Sequence, residues 1–405
     1  MTTKTRHPAS TLVRFFAYFG ILLSANIADL KAQDSFKIRP YMLMHTNQQI
    51  LLSFQLNKDE TLTIEDETKS FMPRLFKKDQ QYQVEINRAK CGEEKEIRIY
   101  RPKNAPTNGE PVKELVFENR LPKIECKTND NFADDDEEMV FGFISDTQEF
   151  EKRHQEVAKV IAHHHSISPL RFIVNGGDVV QTGDDEKEWF KYFNGGKEYL
   201  MDIPQIAAIG NHDYRGQYQI EMPKLFKKYM RWENADKFGN LFYEFNNFNL
   251  IVFNSNFQIS LGSKEKVILE WVERKIAESK IKNKPVIMAT HFPAYSSSLN
   301  KYTAEGVIKI RQFLVPVMEK YGVPLLLSGH THMYERSLKN NIHYIVAGPA
   351  GGKANTASDE NPFKIILDEK SLTFTKLRVS KTKILVETFN ESNILIDQVS
   401  IPLLK

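Results

Sequence analysis

The chain has 405 residues, 41% of them hydrophobic, with 55 Lys and Arg against 52 Asp and Glu for a formal charge of +3. That length exceeds one ordinary core and predicts two or three globular folding units. The near-neutral balance excludes recruitment of nucleic acid by a basic surface.

Taken in chain order, residues 1–32 read as a signal peptide. Lys4, Arg6 and Arg14 precede the apolar run "FFAYFGILLSA", Phe15 to Ala25, and "LKAQD" offers a cleavage point after Ala32. The run falls well short of the roughly 20 residues that cross a bilayer, so it predicts a secreted or periplasmic protein with no stable membrane anchor. Export implies an oxidising compartment. Cys91 and Cys126 either pair there, closing a loop of about 35 residues worth about 3–4 kcal/mol in the chain-entropy view, or stay as buried free thiols.

Residues 33–128 hold the short strand-like segments "QILLSFQL", "TLTIED", "QYQVEIN" and "KEIRIYR", divided by Asn, Asp, Lys, Gly and Pro clusters. They predict an N-terminal all-β sandwich of the immunoglobulin or fibronectin III kind. The run "NDNFADDDEE", 129–138, is a solvated acidic linker; the spacing and glycine of a calcium loop are missing.

From 139 to 405 apolar segments alternate with helical patterns, the mark of an α/β domain with mixed sheets flanked by helices. "EFEKRHQEVAKVIAHHH" places Phe150, His154, Val157 and Ile161 on one helical face, and "KEKVILEWVERKIAES" does the same with Val267, Ile268, Trp271 and Val272. A third helix is expected over Ala304 to Tyr321. Three consecutive helical residues point in three directions, so His163, His164 and His165 do not read as a metal site. After 362, "SLTFTKLRVS", "KILVETFN" and "ILIDQVSI" alternate as strands that complete a sheet rather than start a new domain.

The ends of the apolar runs carry the chemistry. "MVFGFISDTQ" ends in Asp146 and Gln148, "RFIVNGGD" in Asp178, "PQIAAIGNHD" in Asn211, His212 and Asp213, "KPVIMATH" in His291, and "VPLLLSGHTH" in His330 and His332. Each residue alone has a bland reading as a helix cap, turn former or satisfied core histidine. Together they are all ligand types at equivalent strand ends, where an open α/β sheet brings distant residues to one crevice. The set is too large for a single zinc ion and matches two neighbouring ions. Oxygen and imidazole donors without cysteine suit Fe, Mn or Zn.

"SDTQ", "GGD", "GNHD", "ATH" and "GHTH", in this order, resemble the five-block signature of the calcineurin-like metallophosphoesterases. "GHTHMYERS", "YIVAGPAGG" and "HFPAYSS", with the leading and closing β-segments, are similar to the purple acid phosphatase branch. One departure stands out: that branch has a metal-binding tyrosine three residues after the second-block aspartate, and here the position is Gln181. Gln148 stands where glycine or histidine is usual, and Asp213 where the branch has glutamate. Plant-type members carry histidines where this chain reads "SSSLNKYTAEG", leaving Asn300 and Lys301 as candidates by position alone.

The resemblance implies a metallophosphoesterase sandwich in which Asp146, Gln148, Asp178 and His332 hold one ion and Asp178, Asn211, His291 and His330 the other. It implies hydrolysis of a phosphoester by a hydroxide held between the ions, with Asn211 and His212 touching substrate, His212 as proton donor and Asp213 orienting it. An acid-phosphatase-like phosphomonoesterase is the leading expectation. A phosphodiesterase on the same scaffold, and a non-catalytic binding protein using the β-sandwich, are the alternatives. Tyr334, Glu335 and Arg336 are expected either at the rim or in structural pairs.

Overall fold

The computed structural model describes residues 36–46, 49–58, 60–66, 70–71, 81–87, 95–102, 113–121, 138–218, 220–230, 234–256 and 264–403. The expected leader, both cysteines and acidic residues 129–137 lie outside them.

The first part of the chain supplies β1 (Phe36–Met44), β2 (Gln49–Leu56), β3 (Thr63–Asp66), β4 (Ser70–Phe71), β5 (Gln81–Asn87), β6 (Lys95–Pro102) and β7 (Lys113–Leu121). This is the strand-rich region expected from the alternation. The division into units cuts it differently from a boundary near 128. Residues 36–39 with Phe54–Val84 and Glu94–Leu121 fall in one unit, and Pro40–Ser53 and Glu85–Glu93 join Pro122–Lys405 in the other. Long-range pairing is the reason, because Leu43 lies opposite Gln205 in a parallel ladder and the Tyr41 hydroxyl donates to the Tyr229 carbonyl.

Within the first unit, an antiparallel sheet runs β4-β3-β6-β7. Its period of two turns Ile64, Ile97, Ile99 and Phe117 inward, while Arg98 stays out and donates to Glu118. Phe54 stacks on Tyr82 at 5.3 Å and takes the edge of Phe36 at 5.6 Å.

The second unit contains two large sheets. One uses β8 (Glu138–Ile144), β9 (Ile173–Asn175), β10 (Gln205–Ala207), β18 (Thr373–Ser380), β19 (Lys383–Asn390) and β20 (Leu395–Pro402), in the order β20-β19-β18-β8-β9-β10 and on to Leu43. The closing strands complete this sheet as expected, with β18 antiparallel to β8. The other uses β11 (Leu241–Glu244), β12 (Asn249–Val252), β13 (Val286–Ala289), β14 (Leu325–Ser328), β15 (Tyr334–Lys339), β16 (Ile342–Ala347) and β17 (Lys364–Asp368), in the order β11-β12-β13-β14-β16-β15-β17. β8-β9-β10 and β12-β13-β14-β16 are parallel. The short runs "IVN", "VIMA" and "LLLS" are buried at every residue, as strands covered on both faces must be.

Six α-helices accompany the sheets among the described residues: α1 (Glu151–Ile167), α2 (Glu186–Gly195), α3 (Lys224–Tyr229), α4 (Glu265–Ile281), α5 (Glu305–Lys309) and α6 (Val315–Tyr321). His154, Val157 and Ile161 are buried on α1, but Phe150 sits just before the helix, exposed beneath the Arg153 guanidinium. On α4 the buried stripe is Ile268, Val272 and Ile276, packed with Ile251, Met288 and Leu326. Val267 is exposed, one position off that stripe. The third expected helix is interrupted by a π-helical turn over Ile310–Leu314. Pro316 explains it: the ring has no N–H to give and crowds the carbonyl four residues back, so the chain widens there. His164 contacts the Asn393 side-chain oxygen at 2.8 Å, and His165 Nδ1 accepts from the Leu170 amide at 2.9 Å. Both are structural.

Candidate metal centre

Five parallel strands, three from one sheet and two from the other, end at the same place. β8 delivers Asp146, β9 Asp178, β10 Asn211, β13 His291 and β14 His330. The His330 amide donates to both Asp146 oxygens, at 3.1 and 3.0 Å, and the His212 amide to Asp178 Oδ1 at 2.7 Å. Asp146, Asp178 and His330 take φ angles of 55°, 51° and 69°. Such left-handed turns are strained for residues with a Cβ, and persist when the surroundings over-determine them. Two glycines allow the close approach. A Cβ at Gly329 would fall 1.8 Å from Ser145 Oγ, and one at Gly210 2.1 Å from the Asp178 amide.

Two donor groups result. In the first, His291 Nδ1 lies 3.0 Å from the Gly176 carbonyl, which can only accept, so this nitrogen carries the proton. Its Nε2 is then directed at Asp178 Oδ2, 3.3 Å away, and Asn211 Oδ1, 3.1 Å away. Asn211 Oδ1 also meets His330 Nδ1 at 2.9 Å. Ligand atoms of Asp178, His291 and His330 all lie within 4.8 Å of one another. The second group repeats the pattern. His332 Nδ1 donates to the Lys353 carbonyl at 2.6 Å, and its Nε2 faces Asp146 Oδ1 at 3.4 Å and the Gln148 amide at 3.3 Å.

Burial and charge act against each other here. Burial favours a protonated Asp178, but His291 and then His212 outweigh it and hold this carboxyl well below the usual range. Burial pulls His291 down; Asp178 overcomes it and pushes the ring up to about 9. His332 is likewise raised by Asp146 against burial. Burial, followed by His291 and Lys301, drives His330 well below its ordinary value. The Nε2 atoms of His291 and His332, where these carboxylates favour positive charge, thus sit where lone pairs from carboxylate and amide oxygens and imidazole converge, the arrangement of a cation site. The residues fit two ions on a further count: the Gln148 Oε1 atom is buried without a hydrogen-bond partner, and a buried amide oxygen left unpaired is costly unless something binds it.

Every sequence-predicted ligand reaches this cluster: Asp146, Gln148, Asp178, Asn211, His291, His330 and His332. The role given to Asp213 needs correction. Its oxygens accept from the Val180 amide at 3.2 Å and the Gly210 amide at 2.8 Å, while burial and the charge of Asp178 push its carboxyl up to about 8. It braces the second and third motif loops and does not orient His212. His212 Nδ1 instead donates to the Gln181 carbonyl at 3.1 Å, and its Nε2 lies 2.8 Å from Arg215 Nη2 and 3.9 Å from Asp178 Oδ2. Sequence reasoning missed Arg215, whose one signal was a lone basic residue in the turn after "GNHD". Lys301, a candidate by position, does arrive, with Nζ 3.3 Å from His330 Nε2. Asn300 adopts a left-handed turn beside it. The "YERS" residues prove structural. The Tyr334 hydroxyl and Arg336 share Asp397, and buried Glu335 accepts from the Ser297 amide and hydroxyl and from Asn361.

Residues 139–334 match the family profile described as calcineurin-like phosphoesterase. Tartrate-resistant acid phosphatase type 5 of Oryctolagus cuniculus is 28% identical over 170 residues, 37% of this chain and 50% of that protein. A 3',5'-cyclic-nucleotide phosphodiesterase of Nostoc sp. is 27% identical over 181 residues, 44% of this chain and 61% of that one. The chain thus spans about half to three-fifths of these two relatives. Among solved structures, a purple acid phosphatase from yellow lupin, Lupinus luteus, aligns with a TM-score of 0.69 at 14% identity, over 90% of this chain and 74% of that one. That likeness establishes a shared fold.

Proposed function

We propose, on the premise that residues 139–334 form a calcineurin-like phosphoesterase domain, that the chain is a two-metal hydrolase of phosphate esters. The observation that carries this reading is the pair of histidines, His291 and His332, each tied through Nδ1–H to a backbone carbonyl with Nε2 aimed at an aspartate. Asp178, Asn211, His291 and His330 would hold one ion and Asp146, Gln148 and His332 the other, with Asp178 shared. Bound there, Fe, Mn or Zn ions would supply Lewis acidity and a water acidic enough to act as nucleophile at neutral pH. The chain's own residues do the rest. Asp146 and Asp178 fix the ligand frame through the His330 and His212 amides. His212 is held by Gln181 and capped by Arg215, so it releases or takes a proton at Nε2 only when the guanidinium moves aside, and with Arg215 in place a guanidinium faces an incoming anion.

The relatives include an acid phosphatase and a cyclic-nucleotide phosphodiesterase by their names; we favour a phosphate monoester for this chain. The test is elemental analysis of the purified full chain together with turnover of p-nitrophenyl phosphate and bis-p-nitrophenyl phosphate. Two ions per chain, and activity that a chelator abolishes and Mn, Fe or Zn restores, are expected. Metal-loaded protein inert on both esters overturns the reading and favours a binding role. The reading extends to export, supported by the charged and apolar pattern of residues 1–32 and checked by fractionating cells that express the full chain.

A further inference from the structure

Two cations reach the ligand cluster from different loops, and neither lies within ion-pair distance of a carboxylate among the described residues. Arg215 contacts the His212 ring and the Gln181 carbonyl, at 2.8 and 3.3 Å. Lys301 contacts the His330 ring at 3.3 Å. Both rings line the site, so the contacts run Arg215, His212, Asp178, His291, Asn211, His330, Lys301, with a positive group at each end. An imidazole is a weak partner for either cation. Elsewhere in the unit cations find carboxylates, as Arg336 does with Asp397 at 2.6 Å and Lys309 with Glu265 at 3.1 Å.

The loop that carries Lys301 is braced. Ser297 is held by the buried Glu335 carboxylate, the Ser298 hydroxyl accepts from Asn355, the Leu299 amide donates to Thr356 O, and the Lys301 amide donates to Ser298 O. Arg215 is fixed comparably, its amide donating to His212 O in a turn closed by buried Tyr214. Residues placed this firmly, and without a counter-charge among the described residues, are built to meet an anion that arrives with the substrate.

We propose that Arg215 and Lys301 bracket the phosphoryl group and make the site selective for phosphate monoester dianions over diesters; this rests on the phosphoesterase reading above. A monoester dianion spreads two negative charges over three non-bridging oxygens, leaving charge for both cations after two oxygens are engaged at the ligand cluster. A diester has one charge and two such oxygens, and its second ester arm would desolvate a cation without neutralising it.

The experiment uses metal-loaded full-length protein, with Arg215→Gln, Lys301→Met and Lys301→Arg. Turnover of p-nitrophenyl phosphate and its bis ester is measured beside inorganic phosphate binding by calorimetry, with metal content checked for each variant. Arg215→Gln and Lys301→Met are expected to raise KM for the monoester and weaken phosphate by about 10- to 100-fold, the size of a lost charge-assisted hydrogen bond. The monoester-to-diester ratio of kcat/KM should fall at least about tenfold in both variants, and Lys301→Arg should keep the preference. Equal losses on both esters, unchanged phosphate affinity, or a wild type that prefers the diester would overturn the proposal. If the wild type cleaves neither ester, the phosphoesterase reading fails, and the phosphate titration alone decides whether the cations bind the anion.

Discussion

At the scale of single residues, what separates ligand from brace is where each polar atom goes. Gln148 Oε1 is buried without a partner next to His332, whereas both Asp213 oxygens are spent on backbone amides. The two therefore fail differently. Gln148→Leu removes an unmatched acceptor and adds none, so the fold should hold while the ion shared with Asp146 and His332 is lost; elemental analysis should fall from two ions per chain toward one. Retention of both ions would make Gln148 a mere wall of the site. Asp213→Ala instead orphans two buried N–H groups, each costing about 1–3 kcal/mol. It should lower the urea midpoint markedly, and the pH profile of whatever activity survives should keep its shape. A lost alkaline or acid limb would return Asp213 to the proton path.

At the scale of elements, the site is a consequence of short parallel strands that stop abruptly. The apolar runs before "SD", "GGD", "GN", "TH" and "GHTH" announced both the strands and their ends, because a strand buried on both faces has no room for a charged side chain until it leaves the sheet. Motif spacing made the members of the cluster legible in the sequence. The partners of those ligands were not legible. Whether His212 leans on Asp213 or on Arg215 depends on how a loop from β9 meets a loop from β10, and Asp213 is claimed by the Val180 amide some thirty residues away. Helix faces were readable in their middle turns and misread at the ends. Phe150 and Val267 lie where a helical projection puts them near the core, yet Phe150 precedes the helix and Val267 falls just outside the buried stripe. The contact between β8 and β14 ends gives its own prediction. Gly329→Ala drives a methyl into Ser145 Oγ, 1.8 Å away, and toward Asp146 Oδ2, 2.5 Å away. It should cost at least about 100-fold in kcat/KM, since misplacing a site by an ångström has that effect. Adding Ser145→Gly removes the nearer obstacle and should recover part of the loss; a strictly additive double variant would show that the two turns do not touch.

At the scale of the whole molecule, proton balance decides the conditions in which this scaffold stands. His154 on α1 is fully buried against Tyr199 and Tyr192, and burial lowers its pKa to about 3. His165 on the same helix is lowered by burial to about 4. Both rings are neutral in the folded chain and take up a proton near pH 6.5 once unfolded. The unfolded state therefore binds more protons between those values, so the share of stability that these two rings contribute is complete above about pH 6.5 and declines as pH falls toward 4 and 3. For His154 the loss between pH 7 and pH 5 is about 2 kcal/mol, or roughly 3 °C in Tm for a unit of about 300 residues. His154→Leu should start less stable at pH 7, having lost the Tyr199 contact, yet its Tm should fall less than the wild type's on going to pH 5. Parallel slopes would mean that another group titrates first. The helix that carries these rings, α1, begins five residues after Asp146 and packs on β18, the strand paired with β8. Acid inactivation of this chain should accordingly track unfolding of α1, measured by hydrogen exchange.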